Sequence, residues 1–455
     1  MKDFIFPESF EWGVATSAFQ IEGARAERGD SVWDDFCTKS GAIRDGSDGN
    51  IACDHYRRYR EDVAIMKELN VDCYRFSLSW PRILPQGTGA VNEKGLDFYD
   101  RLTDELIAKG ITPYATLFHW DLPLPLHEKG GWLNSASADW FYEYAQTIGK
   151  RLGDRIQNFI TFNEPQCFIP YGYRMGVHAP GFKLSTKETL YAMHNVLRAH
   201  GAGVAALRQT APSARIGVAM ASDADYPLTD SPLDIQAAKR VLLSLKEGEN
   251  NWLTNIVHWD DPIYFGDYPK ESYERFGDLM PVMSREDSAL ISQKIDFHGQ
   301  NCYSGSPVES DGKGGFRRAE LPLGYPKNAL NWLVCPRAIW FVTKCLYERY
   351  HMPIYITENG ICCNDWVHED GRVHDFARVD FYKKYLKELK RSIDEGTDIR
   401  GYFAWSFMDN FEWADGYSER FGLVYVDYAT QKRTIKDSGY FYRDLINANK
   451  GRKHL

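Results

Sequence analysis

The chain has 455 residues, of which 44% are hydrophobic and 26% are charged, and its net charge is −9 at pH 7. This composition is ordinary for a folded globular protein, and the acidic balance argues against nucleic acid and anionic membrane surfaces as partners. The sequence begins without a long apolar segment and contains no apolar run of about 18 residues, so we expect neither a signal peptide nor a membrane span.

The nine cysteines are an odd number and lack the spacing of a disulfide framework. Cys362 and Cys363 are adjacent, which is the spacing of neither a zinc pair nor a redox motif. No group of His and Cys has metal-ligand spacing. We therefore expect reduced thiols, a cytoplasmic location and no metal site.

Stretches typical of strands alternate with stretches typical of helices along the chain. Apolar, β-branched runs predict eight strands, at residues 10–16 (running on to Gln20), 71–80, 111–120, 156–163, 214–220, 296–303, 353–357 and 399–407. Helical spacing predicts helices at 54–70, 93–109, 136–152, 190–209, 336–350, 379–395 and 436–447, and a mostly helical segment over 232–279. Residues 304–326 are polar and rich in Gly, Ser and Lys, which predicts a lid or a disordered loop.

Eight strands that alternate with helices over more than 400 residues predict one (β/α)₈ TIM barrel with enlarged βα loops. Without a linker or a break in composition, we expect a single catalytic domain over residues 1–455. The alternative is a doubly wound open sheet, which would need a Gly-rich phosphate loop after the first strand. Residues 13–16 read GVAT and do not match that pattern.

Polar and aromatic residues gather where the predicted strands end. In a (β/α)₈ barrel all these ends open on one face, which is where active sites lie. The residues concerned are Gln20, Arg75, His119, Trp120, Asn163, Glu164, Asn301, Tyr303, Glu358 and Trp405.

Two of these residues are glutamates, each followed by residues that stop a strand: Pro165 after Glu164, and Asn359-Gly360 after Glu358. Because a charge is costly inside a core, each glutamate should stand at its rim and face a cleft. A single strand-end glutamate is ordinarily a salt-bridge partner or lies at a helix N-terminus. Two of them supply what glycoside hydrolysis needs, an acid for the leaving oxygen and a group that attacks or activates water.

Further residues have a structural and a functional interpretation. For Trp120, Trp405 and Trp413 the alternatives are core packing and a flat apolar platform for a sugar. Arg75 should not be buried unpaired, and one of the two carboxylates is its expected partner. An arginine beside a nucleophilic carboxylate would keep it ionised.

Several motifs, in order along nearly the whole chain, resemble glycoside hydrolase family 1, the β-glucosidase family. The two glutamates lie in TFNEP at 161–165 and ITENG at 356–360. The other matching stretches are FEWGVATSAFQIEG at 10–23, RFSLSW at 75–80, FHWDLP at 118–123 and WSFMDNFEW at 405–413.

The resemblance implies a retaining enzyme without a cofactor, in which Glu164 is the acid/base and Glu358 the nucleophile. Arg75, Tyr303 and Asn301 would support the nucleophile. The residues implied in substrate binding are Gln20, His119, Trp120, Asn163, Trp332, Trp405, Glu412, Trp413 and Phe421. Asn163 would meet the 2-hydroxyl, Gln20 and Glu412 the hydroxyls O3, O4 and O6, and Trp332 the leaving group.

The expected substrates are small β-glycosides, such as cellobiose, short cello-oligosaccharides and aryl or alkyl β-glucosides. A 6-phospho-β-glycosidase is the nearest alternative, but the acidic loop at 410–415 would repel a 6-phosphate. The preference between glucosides and galactosides stays open, because Gln20 and Glu412 could hold either orientation of O4. Departures from the family pattern at Leu124-Pro125 and Arg337-Ala338 leave the leaving-group preference open. A non-catalytic sugar-binding protein is the alternative from another class, and it would need one of the glutamates to be missing.

Overall fold

The computed structural model describes residues 4–222 and 224–450, and its centre is a barrel of β-strands. The strands are numbered in chain order: β1 Glu11–Ala15, β2 Cys73–Ser77, β3 Thr112–Phe118, β4 Asn158–Asn163, β5 Arg215–Ala221, β6 Ala224–Pro227, β7 Phe297–Asn301, β8 Gly305–Ser310, β9 Phe316–Arg318, β10 Ile354–Asn359, β11 Ile399–Trp405, β12 Val424–Asp427 and β13 Lys432–Ile435. Eight of them pair in parallel and close the barrel in the order β1-β11-β10-β7-β5-β4-β3-β2. The predicted (β/α)₈ barrel is therefore confirmed.

Helices surround the barrel and follow its strands. The longer ones are His55–Glu68, Glu93–Ala108, Ser137–Leu152, Thr186–Thr210, Pro232–Leu242, Ile256–Phe265, Arg337–Tyr350, Phe376–Asp394 and Asp437–Lys450. The longest begins at a capping box, in which Ser185 accepts from the Glu188 amide and the Glu188 side chain accepts from the Ser185 amide. These reciprocal bonds satisfy amides that have no partner within the helix, and they fix where it begins.

One side chain from each barrel strand contributes to an apolar cluster in the interior of the barrel. Parallel strands are covered on both faces, and β2, β4, β7 and β10 are buried along their whole length. This explains why β4 and β10 are apolar through most of their length. The residues that meet inside are Ala15, Cys73, Tyr114, Ile160, Ala219, Phe297, Tyr355 and Phe403.

Two sequence predictions need correction. Residues 304–326 are neither disordered nor a simple loop, because they contain β8 and β9, which join β6 in a small sheet beside the barrel. Gln20 does not end the first strand but lies in the short helix Ala18–Ile21. The segment 232–279 is mostly helical, as predicted, and is interrupted at 243–250 by irregular residues, of which 244–247 border the cavity at the open end of the barrel.

Both strands that lead to a glutamate contain one extra residue. Residues 160–163 of β4 pair with 217–219 of β5, and residues 356–358 of β10 pair with 300–301 of β7. Such β-bulges bend a strand and re-aim the side chains that follow. The bulges thus lie immediately before Glu164 and at Glu358.

Three global features bear on the expectations about cofactors and membranes. All nine cysteines are free. Within 4–222 and 224–450, no helix is long and apolar enough to cross a bilayer. No group of three or more His, Cys, Asp or Glu in those ranges is arranged to hold a metal ion.

The neighbouring residues Asp260 and Asp261 differ in whether their buried carboxylates have hydrogen-bond partners, and this difference should affect stability. Asp260 is fully buried, and neither carboxylate oxygen has a hydrogen-bond partner among the described residues. Burial, followed by the charge of Asp261, raises the pKa of Asp260 well above its usual range. We expect Asp260→Leu to raise the free energy of unfolding at pH 7 by about 1–3 kcal/mol, the cost of an unsatisfied buried group. Chemical denaturation measures this change.

The gain should depend on pH. A raised pKa means that the folded protein binds the Asp260 proton more tightly than the unfolded chain does, so wild-type stability falls as pH rises above about 3.9. The gain should therefore shrink as pH is lowered towards 4. Asp261→Leu is the matched control, because Asp261 accepts from Arg349 at 2.5 and 2.9 Å and from Tyr350 at 2.7 Å. The free energy of unfolding of Asp261→Leu should fall by about 3–5 kcal/mol. Destabilisation by both substitutions would contradict the interpretation of Asp260 as an unsatisfied, destabilising carboxyl group.

Candidate active site

Glu358 is the next-to-last residue of β10 and is held by two donors. Arg75 Nη1 lies 2.6 Å from Oε1, and the Tyr303 hydroxyl donates to Oε2 at 2.6 Å. Burial raises the pKa of Glu358, and the Arg75 charge and the Tyr303 bond oppose this rise. Burial and the nearby carboxylate also raise the pKa of Tyr303 well above its usual value, so this residue remains a phenol that can donate.

Glu164 directly follows β4 and has a different environment. It is almost fully buried, its backbone is left-handed with φ of 48°, and Asn301 Nδ2 donates to its Oε1 at 2.8 Å. Burial, followed by the negative charge of Glu358, raises the pKa of Glu164 to about 8. A carboxyl group with this pKa is protonated at neutral pH and can act as an acid.

Arg75 lies inside β2 rather than at its end, and it joins the two glutamate strands. Its guanidinium is fully buried and donates to Glu358, to the Asn163 side chain at 2.6 Å and to the Thr357 carbonyl at 3.1 Å. Its Nε donates to Thr116 at 3.1 Å. A buried charge needs such a full set of partners, which here also fixes the relative positions of β2, β3, β4 and β10.

Asn163 and Asn301 connect the two glutamates. Asn301 donates to Asn163 at 3.1 Å as well as to Glu164, and its own oxygen accepts from Thr357 at 2.6 Å. Asn163 in turn lies 3.1 Å from His119 Nε2. Burial and the Arg75 charge lower the pKa of His119 well below its usual value, so the ring is neutral. The network therefore runs from β10 to the end of β3.

Aromatic rings form the floor and one wall of the site. His119 stacks on Trp405 at 5.8 Å and on Trp413 at 6.0 Å between ring centroids. Trp120 packs against Trp413 at 4.5 Å, and its indole nitrogen donates to the Asn163 carbonyl. Trp120 therefore supports the wall formed by Trp413 and also borders the cavity.

The loop after β11 brings Glu412 beside Gln20. Gln20 is fully buried; its amide donates to Asn410 at 3.0 Å and to the Phe411 carbonyl at 2.8 Å, and lies 3.4 Å from Glu412. Glu412 itself is half-buried. Burial, followed by the charge of Asp415, raises the pKa of Glu412 well above its usual range.

A cavity of about 960 Å³ collects these groups at the carboxyl end of the barrel strands. Trp332 and Phe421 stand near Tyr303, with ring centroids 5.7 and 6.1 Å away, and Trp332 is partly exposed. Of the fourteen residues expected at the site, eleven border the cavity, and Gln20, Arg75 and Asn163 lie behind its wall. The eleven are His119, Trp120, Glu164, Asn301, Tyr303, Trp332, Glu358, Trp405, Glu412, Trp413 and Phe421.

Other cavity residues were not expected from the sequence. Near Glu164 they include Gln166, Tyr171 and His178, and farther out they include residues 244–247 and the strand β9. They lie on short helices, on loops and on the small sheet, where the rule that polar residues gather at barrel strand ends does not apply. The Asn-Glu-Pro motif places Gln166 close to the acid, and this is the one signal that could have found it.

A (β/α)₈ barrel with one protonated and one arginine-bound glutamate in a single aromatic-walled cavity defines a glycoside hydrolase. A family model described as Glycosyl hydrolase family 1 matches residues 2–451. The chain belongs to this family.

Named relatives are similar over almost their whole length. The chain is 44% identical to β-glucosidase A of Thermotoga maritima, covering 98% of both chains, and 46% identical to a β-glucosidase of an Agrobacterium species, covering 97% of this chain and 95% of that one. The solved structure of the Thermotoga maritima family 1 β-glucosidase superposes with a TM-score of 0.89 at 44% identity, covering 98% of each chain. The same enzyme has been solved in complex with glucoimidazole, also at a TM-score of 0.89, with 45% identity and 98% and 99% of the chains covered.

Proposed function

We propose that the protein is a retaining β-glucosidase that removes terminal β-D-glucosyl residues from cellobiose, short cello-oligosaccharides and aryl or alkyl β-glucosides. The observation that carries this proposal is the contrast between the two glutamates. Glu358 is bound by a cation and a phenol, whereas the pKa of Glu164 is raised to about 8. The names of the relatives at 44 and 46% identity support the same activity.

The first step is formation of a glycosyl–enzyme. Glu358 Oε attacks the anomeric carbon while Glu164 gives its proton to the glycosidic oxygen, so the C–O bond breaks and the alcohol leaves. Attack neutralises Glu358, which removes the charge that helped to raise the pKa of Glu164. Glu164 then takes a proton from water, whose oxygen attacks the same carbon and releases glucose with its original configuration.

The remaining residues are proposed to hold the sugar. Asn163, fixed by Arg75, would meet the 2-hydroxyl, a contact that strengthens in the transition state. Trp405 would lie beneath the ring, and His119 and Trp413 would flank it. Gln20 and Glu412 would hold O3, O4 and O6. The exposed Trp332 and the buried Phe421 would face the leaving group.

The loop around Glu412 argues for an unphosphorylated substrate. Burial raises the pKa of Glu412, and the nearby charges of Asp415 and Glu419 raise it further. Arg44 pairs with Asp415 at 2.5 Å and with Glu419 at 3.2 Å, so its charge is already shared between two carboxylates. A 6-phosphate placed here would add negative charge to an acidic cluster. The sugar-binding alternative is disfavoured because both glutamates are present with their partners.

We extend the proposal to the organisation and setting of the protein. The whole chain, 1–455, is proposed to act as one catalytic domain without a cofactor, on a small-molecule substrate. Its nine free thiols suit a reducing compartment such as the cytoplasm, and cellobiose as substrate would place it at the last stage of cellulose degradation.

Initial rates on three p-nitrophenyl substrates test the function. These are the β-glucoside, the β-galactoside and the 6-phospho-β-glucoside. We expect turnover of the β-glucoside and none of the phosphosugar, and the β-galactoside rate then measures tolerance at O4. Turnover of the phosphosugar alone would overturn the role proposed for Glu412. Failure to turn over any of the three would overturn the proposal that the protein is a β-glucosidase.

The pH dependence of kcat/KM should be bell-shaped. Activity requires protonated Glu164, whose pKa is about 8, so activity should fall as pH rises above that value. On the acid side, activity should be lost as Glu358 is protonated, above the usual carboxyl range because burial raises its pKa. Stopped assays with an aryl β-glucoside between pH 4 and 10 measure both limbs. An alkaline limb that persists in Glu164→Ala would show that another group is responsible.

A further inference from the structure

The outer part of the cavity is built by segments that do not belong to the barrel. Beyond the two glutamates it is bordered by residues 244–247, by 330–333 and by the strand β9 of the small sheet. With about 960 Å³, the cavity is at the upper end of the range of roughly 300–1,000 Å³ for small-molecule sites. The inner pocket with Trp405 and Glu412 accommodates one sugar, so there is space for more than the first ring of a leaving group.

The strand β9 presents alternate residues to this space. Phe316 and Arg318 border the cavity, and Arg317 between them does not. This is the alternation expected of a strand. Phe316 is 47% exposed, so its ring is available for contact. Arg317 instead pairs with Glu309 at 3.1 Å on the neighbouring strand.

Arg318 is anchored by a buried carboxylate. Its Nη1 donates to Asp225 Oδ1 at 2.7 Å, and Lys246 Nζ lies 3.1 Å from Asp225 Oδ2. The Asp225 side chain is 1% exposed, whereas that of Arg318 is 53% exposed. One edge of the guanidinium is thus fixed while the rest remains accessible. A preorganised donor of this kind binds at a lower entropic cost than a free arginine would.

We propose that Phe316 and Arg318 form a specificity-determining subsite for the second sugar of the leaving group, which is the third glucosyl unit of a cello-oligosaccharide. This inference rests on the proposed β-glucosidase function. The Phe316 ring packs against the C–H face of the sugar, and the accessible guanidinium N–H groups donate to its hydroxyls.

The charges of this wall favour a neutral sugar. Lys246 and Arg318 bring two positive charges, and Asp225 and Glu247 bring two negative ones. An anionic leaving group would need an excess of positive charge, whereas a neutral polyhydroxylated ring needs donors and an apolar face. A gain in activity on an anionic aryl β-glucoside that depends on Arg318 would therefore overturn the sugar assignment.

The test compares kcat/KM for cellobiose and cellotriose, measured as glucose release. Cellobiose does not reach the second leaving-group position and cellotriose does. In Arg318→Ala and Phe316→Ala we expect the value for cellotriose to fall about five- to tenfold, the effect of losing one contact, and the value for cellobiose to change by less than about twofold. Phe316→Ala breaks no ion pair, so it keeps the test valid if Arg318→Ala folds poorly.

Arg317→Ala is the matched control, because it removes the same side chain one position away on the other face of the strand. It should leave both substrates unchanged. Equal losses on both substrates, or no loss on cellotriose in either variant, would overturn the subsite. Failure of the wild-type enzyme on p-nitrophenyl β-glucoside would instead overturn the proposed function, so the two failures are distinguishable.

Discussion

Glu358→Gly should lower kcat for an aryl β-glucoside by at least about 10⁴-fold while the protein still folds. The variant lacks the oxygen that attacks the anomeric carbon, and no neighbouring group can replace it, because Arg75 and Tyr303 are donors. Arg75 keeps Asn163, Thr116 and the Thr357 carbonyl as acceptors, which should preserve the fold. Release of p-nitrophenol and thermal unfolding measure the two effects.

The space left by the Glu358 carboxylate allows a sharper test. Azide is small enough to enter it and would attack the anomeric carbon from the side that Glu358 occupied. Partial recovery of activity with an α-glucosyl azide as product is expected, because only one displacement takes place. Glu369→Gly, which removes an exposed glutamate, is the control for the loss of charge and should retain full activity. Unchanged turnover in Glu358→Gly would rule out this residue as the nucleophile.

Glu164→Ala should affect substrates according to their leaving groups. Cellobiose needs its leaving oxygen protonated, so its kcat/KM should fall by about 10²–10⁴-fold. A dinitrophenyl β-glucoside leaves without this help and should lose far less. Without the base, hydrolysis of the glycosyl–enzyme becomes slow, so kcat and KM for the activated substrate should fall together. Steady-state kinetics on both substrates measure these changes.

Azide distinguishes the two glutamates. In Glu164→Ala the nucleophile is intact, so azide attacks the glycosyl–enzyme and gives the β-glucosyl azide, the opposite anomer to that expected for Glu358→Gly. Glu247→Ala makes the same replacement at an exposed residue in the same cavity and should behave as the wild type on both substrates. Equal losses across leaving groups, or an α product, would contradict the role of Glu164.

The barrel was predictable because its strands are buried on both faces and are therefore apolar along their length. The sequence misled where the hydropathy pattern does not indicate the backbone conformation. The helix Ala18–Ile21 is barely one turn and entirely buried, so it has no periodicity that would distinguish it from a continuing strand. All three residues of β9 are exposed and depend on pairing with β8, a contact that hydropathy does not report.

The position of the candidate site was predictable to a similar degree and for a related reason. Polar residues at the ends of apolar strands are conspicuous, and eleven of the fourteen expected residues border the cavity. Gln20 and Asn163 lie behind its wall, and the sequence cannot report that their amides are bonded to neighbouring side chains and backbone. The outer residues Phe316 and Arg318 border the cavity only because β9 pairs with β8, which the sequence pattern does not show.

The extra residue in β4 and in β10 makes the positions of Glu164 and Glu358 depend on the number of residues in each strand as well as on residue type. Because side chains along a strand alternate with a period of two, shortening either strand by one residue would turn its carboxylate from the cavity towards the helices. Both motifs could then be intact in the sequence of an inactive protein. Engineering of this barrel therefore has to keep the number of residues in these two strands, in addition to the loop residues that border the cavity.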